Sequence, residues 1–223
     1  MEPFVLTSDR VRLSVPTTSD IDRIAECCTD PDIQTWTTVP KPYTRESARF
    51  FVEEMVPQGW EKGAQFNWAI RAPGDCDSPV LGMAGISVSG ERDGMKSAEI
   101  GWWMAPDARG QGLLNGACQL ILGWAFSEES GLGLCRATWH AVVGNWPSRR
   151  AAWRLGFVVE GTLRRHYADP SGPLDAWVAT LLPEDPRSPN EPWPADAPDP
   201  IVALPTGFPG GVYPDYEALA ALN

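Results

Sequence analysis

Residues 99–115 read EIGWWMAPDARGQGLLN, and this stretch decides the fold. An apolar segment that predicts a strand leads into a turn containing Gly110 and Gly112. An amphipathic helix is expected to start directly after the turn, at Leu113. The stretch therefore predicts a strand, a glycine-containing turn and a helix in immediate succession.

The start of that helix is a candidate site for an anion. Unpaired backbone N–H groups and the positive end of the helix dipole suit a pyrophosphate, and Gly110 and Gly112 let phosphates approach without a Cβ in the way. Arg109 adds positive charge. A Gly-x-Gly turn also occurs as a plain connection, and this one has the spacing of neither the dinucleotide fingerprint nor the P-loop.

The periodicity of the flanking sequence predicts the order β-α-α-β-β-β-α-β-α-β-β. Strands are expected at residues 11–15, 66–70, 80–88, 98–104, 134–142, 157–163 and 177–182. Helices are expected at residues 18–28, from 44 onward, at 113–126 and at 146–155. Asp30-Pro31 is expected to end the first helix.

The composition changes after residue 182, since ten of the 22 prolines fall in residues 183–223 and regular structure is hard to sustain there. We therefore expect a domain at residues 1–182 and a proline-rich C-terminal tail at 183–223. The tail keeps apolar residues that a solvated linker does not need: Trp193, Ile201, Leu204, Phe208, Tyr213, Tyr216 and Leu219. This favours docking on the domain or on a neighbouring subunit.

The composition and charge of the chain limit the ligands that it is expected to bind. With 223 residues, 43% of them hydrophobic, the chain can bury a core. Its formal net charge is −11 at pH 7. An acidic surface repels nucleic acid and anionic lipid and favours cationic ligands such as amines, although it also serves solubility alone. No basic segment followed by an apolar one opens the sequence, so we expect a cytoplasmic protein with no membrane partner.

The cysteines are five in number and include no C-x-x-C pair. We interpret them as reduced packing residues, and we expect no metal. They are Cys27, Cys28, Cys76, Cys118 and Cys135.

A second motif lies at residues 145–157, NWPSRRAAWRLGF. Its Asn-x-x-Ser, short helix and Leu-Gly-Phe resemble the RimJ/RimL type of the GNAT superfamily of N-acetyltransferases. Residues 109–114 resemble the acyl-CoA signature of that superfamily, Arg/Gln-x-x-Gly-x-Gly/Ala, with Leu114 in place of the third, small residue. Shorter matches extend the resemblance over residues 4–182, at 6–13, 30–33, 42–44, 98–101 and 160–164.

The resemblance implies an α/β (α+β) fold, in which a mixed, mostly antiparallel, V-shaped sheet is flanked by helices. Pantetheine is expected in a splay between the fourth and fifth predicted strands, with acetyl-CoA as the acyl donor and no metal. An amine attacks the thioester directly, and a backbone N–H near Trp103 or Met104 holds the oxyanion. The implied CoA-binding residues are Trp103, Met104, Arg109, Gly110, Gln111, Gly112, Leu113, Leu114, Asn145 and Ser148.

Some of these side chains have a second interpretation. Asn145 either hydrogen-bonds the pantetheine or caps the helix that follows it. Ser148 is either a catalytic residue that donates to the departing thiolate or a small residue tolerated in a helix. Arg149 and Arg150 either reach the CoA phosphates or lie on a solvated helix face.

His140 is the candidate catalytic base, because imidazole changes charge near neutral pH and this residue lies beside the expected splay. By alternation, Arg136, Thr138 and His140 share one face of their strand, and a polar face there suggests the cleft. The other interpretation is a histidine on a partly solvated strand. Glu99 is a second candidate, unless it only sets a strand edge.

The expected function is transfer of an acetyl group to a primary amine, either a protein N-terminus or a small, antibiotic-like molecule. A homodimer is among the expected partners, and nucleic acid is not. The alternative is a non-catalytic, regulatory CoA-binding protein of the same fold. Leu114 permits it, as does Ala152, where many superfamily members have a tyrosine acid.

Overall fold

The computed structural model describes residues 1–74, 78–169 and 171–198. Its strands are β1 (Leu6–Thr7), β2 (Arg12–Ser14), β3 (Gln65–Arg71), β4 (Gly82–Arg92), β5 (Met95–Met104), β6 (Arg136–Val142), β7 (Val158–Tyr167) and β8 (Leu174–Leu181). Its helices are α1 (Ile21–Cys28), α2 (Pro31–Trp36), α3 (Arg45–Phe50), α4 (Val56–Lys62), α5 (Leu113–Phe126) and α6 (Trp146–Arg154). Short 3-10 turns precede α1 (Thr18–Asp20) and α5 (Pro106–Ala108), and a π-helical turn (Phe51–Met55) joins α3 to α4.

The eight strands form one sheet in the order β1-β2-β3-β4-β5-β6-β8-β7. β5 and β6 run parallel, and the other neighbouring pairs are antiparallel. Parallel neighbours need a long crossover connection, and α5 supplies it. The prediction of a mixed, mostly antiparallel sheet flanked by helices is confirmed.

Alternation along the strands divides the core between the two faces of the sheet. Phe66 and Trp68 of β3 lie in one buried cluster with Ile121 of α5. Ala69, which points to the other face, lies in a second cluster with Ile24 of α1. In the part of the chain that the structure describes, no helix has both the length and the apolar character needed to cross a membrane.

The sequence prediction missed one helix at Asp30-Pro31. α1 ends at Cys28 as expected, but Pro31 then occupies the first turn of α2, where its missing N–H leaves no hydrogen bond unmade. Asp30 caps this helix by accepting a hydrogen bond from the Ile33 N–H at 3.1 Å. A helix of six residues is too short to show a helical period in the sequence.

The first part of the proline-rich region packs within the folded unit Met1–Pro192, and the described residues from Trp193 onward belong to a second unit. Trp153 Nε1 donates to the Glu191 carbonyl at 2.8 Å, and the Val159 N–H donates to the Glu191 carboxylate at 3.3 Å. The Arg187 guanidinium lies 4.6 Å from the centre of the Phe126 ring. Residues 199–223 lie outside the described residues, so docking of that part of the tail stays a prediction.

Gly156, just after α6, lies against the backbone of this region. Its φ of +93° is one that residues with a side chain rarely adopt, and a Cβ there would overlap the Pro186 carbonyl oxygen. The glycine of the Leu-Gly-Phe motif is therefore required by the backbone that packs against it.

Gly156→Ala should lower the free energy of unfolding by about 2–4 kcal/mol, because backbone strain and overlap with Pro186 add. Urea unfolding measures this. Gly123→Ala is the matched control, since Gly123 lies inside α5 and its added Cβ would meet no atom within 4 Å. The control should be neutral or slightly stabilising. Equal unfolding midpoints for the two variants would contradict the close approach at Gly156.

Candidate active site

The site is built on an opening between β5 and β6. Their ladder consists of the pairs Ser97–Arg136, Ala98–Ala137 and Glu99–Thr138, and the strands part beyond it. Parted strands leave backbone N–H and C=O groups available to an extended ligand, since strand neighbours pair at about 4.8 Å. On one face of the opening, the rings of Trp102 and Trp139 stack with centroids 6.4 Å apart.

At the far end of β5 the chain makes the glycine turn and enters α5. Gly110 and Gly112 have φ of +76° and +74°, and Gly112 is the N-cap residue of α5. A Cβ on Gly110 would meet no atom within 4 Å, so the turn presents its backbone to open space. The first turn of α5 carries no acidic residue. The turn therefore fits the phosphates of CoA.

Arg109 lies in this turn, and its side chain is paired with two carboxylates. The guanidinium pairs with Asp30 Oδ1 at 2.5 Å and with Asp32 Oδ2 at 2.9 Å, and its Nε donates to the Met104 carbonyl at 3.2 Å. These contacts compensate its charge and tie the end of β5 to α2. Arg109 therefore helps to fix the position of the turn, and its role in CoA binding stays a prediction.

Arg10 approaches the same turn, and the sequence interpretation did not include it. Its Nη2 donates to the Gln111 carbonyl at 3.2 Å and lies 3.6 Å from where a Cβ on Gly112 would stand. Nothing in the sequence pointed to this contact, because 101 positions separate Arg10 from Gln111.

Asn145 and Ser148 lie where β6 turns into α6. Asn145 Oδ1 accepts a hydrogen bond from the Ser148 N–H at 3.2 Å, so Asn145 caps α6, and its side chain is buried. The Ser148 hydroxyl accepts from Trp139 Nε1 at 3.2 Å. A hydroxyl that accepts still has its own O–H to donate. Asn145 and Ser148 thus lie next to β6, the strand that carries Trp139 and forms one edge of the opening.

Glu99, the last residue of β5 in the β5–β6 ladder, lies beside His140 on the other face of the sheet, close to its Nδ1 but without a hydrogen bond to it. His140 Nδ1 lies 3.2 Å from Glu99 Oε2, and the exposed fractions of the two side chains are 14% and 42%. The carboxylate is therefore open to solvent and the imidazole is mostly covered. A cation entering here meets a negative charge first and an imidazole next to it.

His166 stacks on His140 with ring centroids 4.8 Å apart and an interplanar angle of 23°. Its neighbour Tyr167 packs edge-on against it at 4.7 Å. Burial raises the pKa of Tyr167 to about 12, and the charge of Glu99 adds to this effect. The two histidines of the chain thus meet on one face of the sheet.

A bulge in β7 brings His166 to this position. Residues 164–166 of β7 lie opposite the single residue Asp175 of β8, between the pairs Leu163–Ala176 and Tyr167–Leu174. Arg165 has a φ of +54°, and its N–H donates to Asp175 Oδ1 at 2.7 Å. Bulges change the direction in which a strand's side chains point. The strand predicted from periodicity ended at residue 163, so His166 was missed.

An ion pair between Lys41 and Asp169 links the end of β7, which follows His166 and Tyr167, to another part of the chain. Lys41 Nζ lies 2.6 Å from Asp169 Oδ2, which joins the connection between α2 and α3 to the end of β7. The Lys41 ammonium holds the pKa of the Asp169 carboxyl below its usual range.

Three of the described cysteines, Cys27, Cys28 and Cys118, are buried and are poorly suited as nucleophiles, and Cys135 is exposed. Burial raises the pKa of Cys27 to about 11, that of Cys28 to about 12 and that of Cys118 further still. Cys76 lies outside the described residues. Among the residues that the structure describes, no group of three or more His, Cys, Asp or Glu side chains could hold a metal ion.

The model of the acetyltransferase (GNAT) domain matches residues 10–158 of the sequence. The chain belongs to the GNAT acetyltransferase family. The match contains the glycine turn, Glu99, His140 and the Asn145–Ser148 pair, which the geometry brings to one opening.

Individual proteins similar to this chain have names that fit the same family. A Bacillus subtilis (strain 168) protein, provisionally named ribosomal N-acetyltransferase YdaF, is 35% identical over 118 residues, which are 53% of this chain and 61% of that protein. Mycobacterium smegmatis RimJ in complex with CoA-disulfide has a TM-score of 0.70 and 20% identity, covering 82% of this chain and 88% of its own. The microcin C7 self-immunity acetyltransferase MccE, in complex with acetyl-CoA and AMP, has a TM-score of 0.67 and 16% identity, covering 78% and 93%. The two structures support the fold.

Gly112→Val should weaken CoA binding about tenfold or more, measured by isothermal titration calorimetry, because a branched side chain then occupies the phosphate face of the turn. It should also lower the melting temperature, since φ is +74° there.

Gly63→Val is the control for this strain, because Gly63 has a φ of +63° and lies at the end of α4 with no atom within 4 Å of an added Cβ. It should lose stability and keep CoA affinity. Equal CoA affinity in both variants would disprove the assignment of the turn.

Proposed function

We propose that this protein transfers the acetyl group of acetyl-CoA to a primary amine. One observation carries the proposal: β5 and β6 part between the glycine turn before α5 at one end and the neighbouring Glu99 and His140 at the other. A donor that lies in the opening, with its phosphates at Gly110 and Gly112, places its thioester between the strands. The amine then approaches from the face that holds His140.

In the proposed reaction the amine nitrogen bonds to the thioester carbonyl carbon, and the carbon–sulfur bond breaks. His140 takes the proton that the ammonium must lose, directly or through one water. A backbone N–H near Trp103 or Met104 stabilises the oxyanion. The Ser148 O–H, or water, supplies a hydrogen bond or proton to the departing thiolate, and the second proton that the nitrogen loses as the amide forms restores it.

Charge supports a cationic acceptor. Glu99 is the exposed carboxylate beside His140, and the whole chain carries a formal net charge of −11 at pH 7. Both favour the approach of an ammonium group. The names of YdaF and MccE indicate ribosomal and self-immunity roles for those proteins, so the proposal covers protein N-termini and small amines alike.

His140→Ala should lower kcat for the amine by about 10²–10⁴-fold and leave the Kd of CoA nearly unchanged, because it removes the group that accepts the proton. The acidic limb of the pH–rate profile should disappear with it. The measurement is thiol release from acetyl-CoA at a range of pH values, with an amine found by screening a panel of acceptors.

His166→Ala is the comparison variant, since it removes the stacked ring but leaves His140 and Glu99 in place. It should keep an acidic limb. If His140→Ala keeps its activity within a few-fold and has the wild-type pH profile, a relay of water and backbone carbonyls takes the proton, and His140 leaves the mechanism.

Gly101→Val should raise KM for the amine and leave the Kd of CoA unchanged. Gly101 follows Glu99 on the same face of β5, is exposed, and has no atom within 4 Å of an added Cβ. A side chain there would fill space beside the carboxylate without straining the strand. An unchanged KM in initial-rate measurements would place the acceptor elsewhere.

The alternative is a protein of this fold that binds CoA without catalysis. Leu114 replaces the small third residue of the CoA signature and packs against the core, and Ala152, at the position of the tyrosine acid, has no proton to donate to the thiolate. Such a protein would be stabilised thermally by CoA and would release no thiol from acetyl-CoA with any amine of the panel.

Size-exclusion chromatography of the same preparation tests the homodimer expected from the sequence.

A further inference from the structure

We infer that Arg10 binds the pyrophosphate of CoA and supplies the charge that Arg109 does not. The inference rests on the proposed function, because it concerns a residue of the same donor site. Arg10 gives an acidic protein a local positive charge where its polyanionic donor binds.

The position of Arg10 carries the inference. Its guanidinium lies over the outer face of Gly112, with Nη2 and Nη1 at 3.6 and 3.9 Å from where a Cβ would be. Its Nη2 donates to the Gln111 carbonyl at 3.2 Å, which leaves further N–H donors of the guanidinium for a ligand. A phosphate at this N-terminus of α5 would meet backbone N–H groups and a guanidinium together, and Arg is suited to phosphate because its donors form a planar fork.

The backbone that carries Arg10 is held in place. The Ser8 hydroxyl accepts from the N–H groups of Arg10 and Val11, at 3.2 Å each, and the Ser8 N–H donates to the Val11 carbonyl at 2.9 Å. Val11 is fully buried, and its side chain lies against Gly116 of α5. The turn between β1 and β2 thus fixes the start of the Arg10 side chain relative to α5.

Arg109, Arg23 and Arg149 each contact another side chain. Arg109 pairs with Asp30 and Asp32, as described above. Arg23 pairs with Asp107 at 2.7 Å, and Arg149 lies 4.5 Å from the centre of the Trp177 ring. Within the described ranges, Arg10 makes no ion pair with a carboxylate. Its charge is therefore available to a phosphate in a chain whose overall charge opposes one.

Isothermal titration calorimetry with CoA tests the inference. Arg10→Gln should raise the Kd of CoA about tenfold to a hundredfold, because a charge-assisted hydrogen bond is lost. Arg10→Lys should lie between this variant and the wild type, since it keeps the charge and loses the fork. Arg45→Gln is the control, because it changes the net charge by the same amount as Arg10→Gln. Arg45 is 67% exposed and pairs with Asp22 on the surface.

Two shorter ligands identify the phosphate. Dephospho-CoA keeps the pyrophosphate and lacks the 3′-phosphate, so Arg10→Gln should weaken its binding as much as that of CoA. Pantetheine has no phosphate, and its Kd should be the same for wild type and Arg10→Gln. A loss confined to CoA, and absent with dephospho-CoA, would overturn the assignment to the pyrophosphate.

The remaining outcomes separate this inference from the proposed function. If Arg10→Gln binds CoA as tightly as Arg45→Gln does, Arg10 does not contact the phosphates and the inference is wrong, while the donor site stands. If the wild type binds no CoA, the proposed function fails as well. The melting temperature of Arg10→Gln without ligand should stay within about 2 °C of the wild type, because the side chain is exposed.

Discussion

The limited pairing of β5 with β6 is the constraint on which the rest of the site depends. The parallel ladder ends at Glu99 and Thr138, so one strand continues towards the glycine turn and the other towards α6. If the ladder continued, the sheet would be closed and no extended ligand could pair with either edge. The stacked rings of Trp102 and Trp139 show that the parted strands are still covered on one face.

Groups suited to an anion and groups suited to a cation lie at different places along the opening. At the end of β5, Gly110 and Gly112 have left-handed backbones before the start of α5, and the Arg10 guanidinium lies against this turn, an arrangement suited to an anion. On the opposite side, Glu99 and the stacked histidines form a region suited to a cation that must lose a proton. An acidic protein can therefore bind an anionic donor locally while its long-range field favours a cationic acceptor.

One strained backbone position lies where the stacked histidines are placed. Arg165 adopts a positive φ inside a strand, and the bulge it belongs to brings His166 onto His140. Such a backbone costs free energy and persists because surrounding contacts hold it, here the hydrogen bond to Asp175. The same principle applies to Gly156, where a tight approach of residue 186 requires a glycine at the end of α6.

The sequence by itself determined the order of the long elements, the helix at 113–126, the glycine turn and the family, because hydrophobic periods and short motifs are local properties of the chain. It placed Asn145, Ser148 and His140 correctly on their elements. Short elements such as α2 and β1 were missed, since they contain too few residues to show a period. The tertiary structure alone decided the partners of charged side chains. Arg109 meets Asp30 and Asp32, Arg10 meets the turn at Gln111, and His166 meets His140 through contacts between residues far apart in the sequence, which no local pattern encodes.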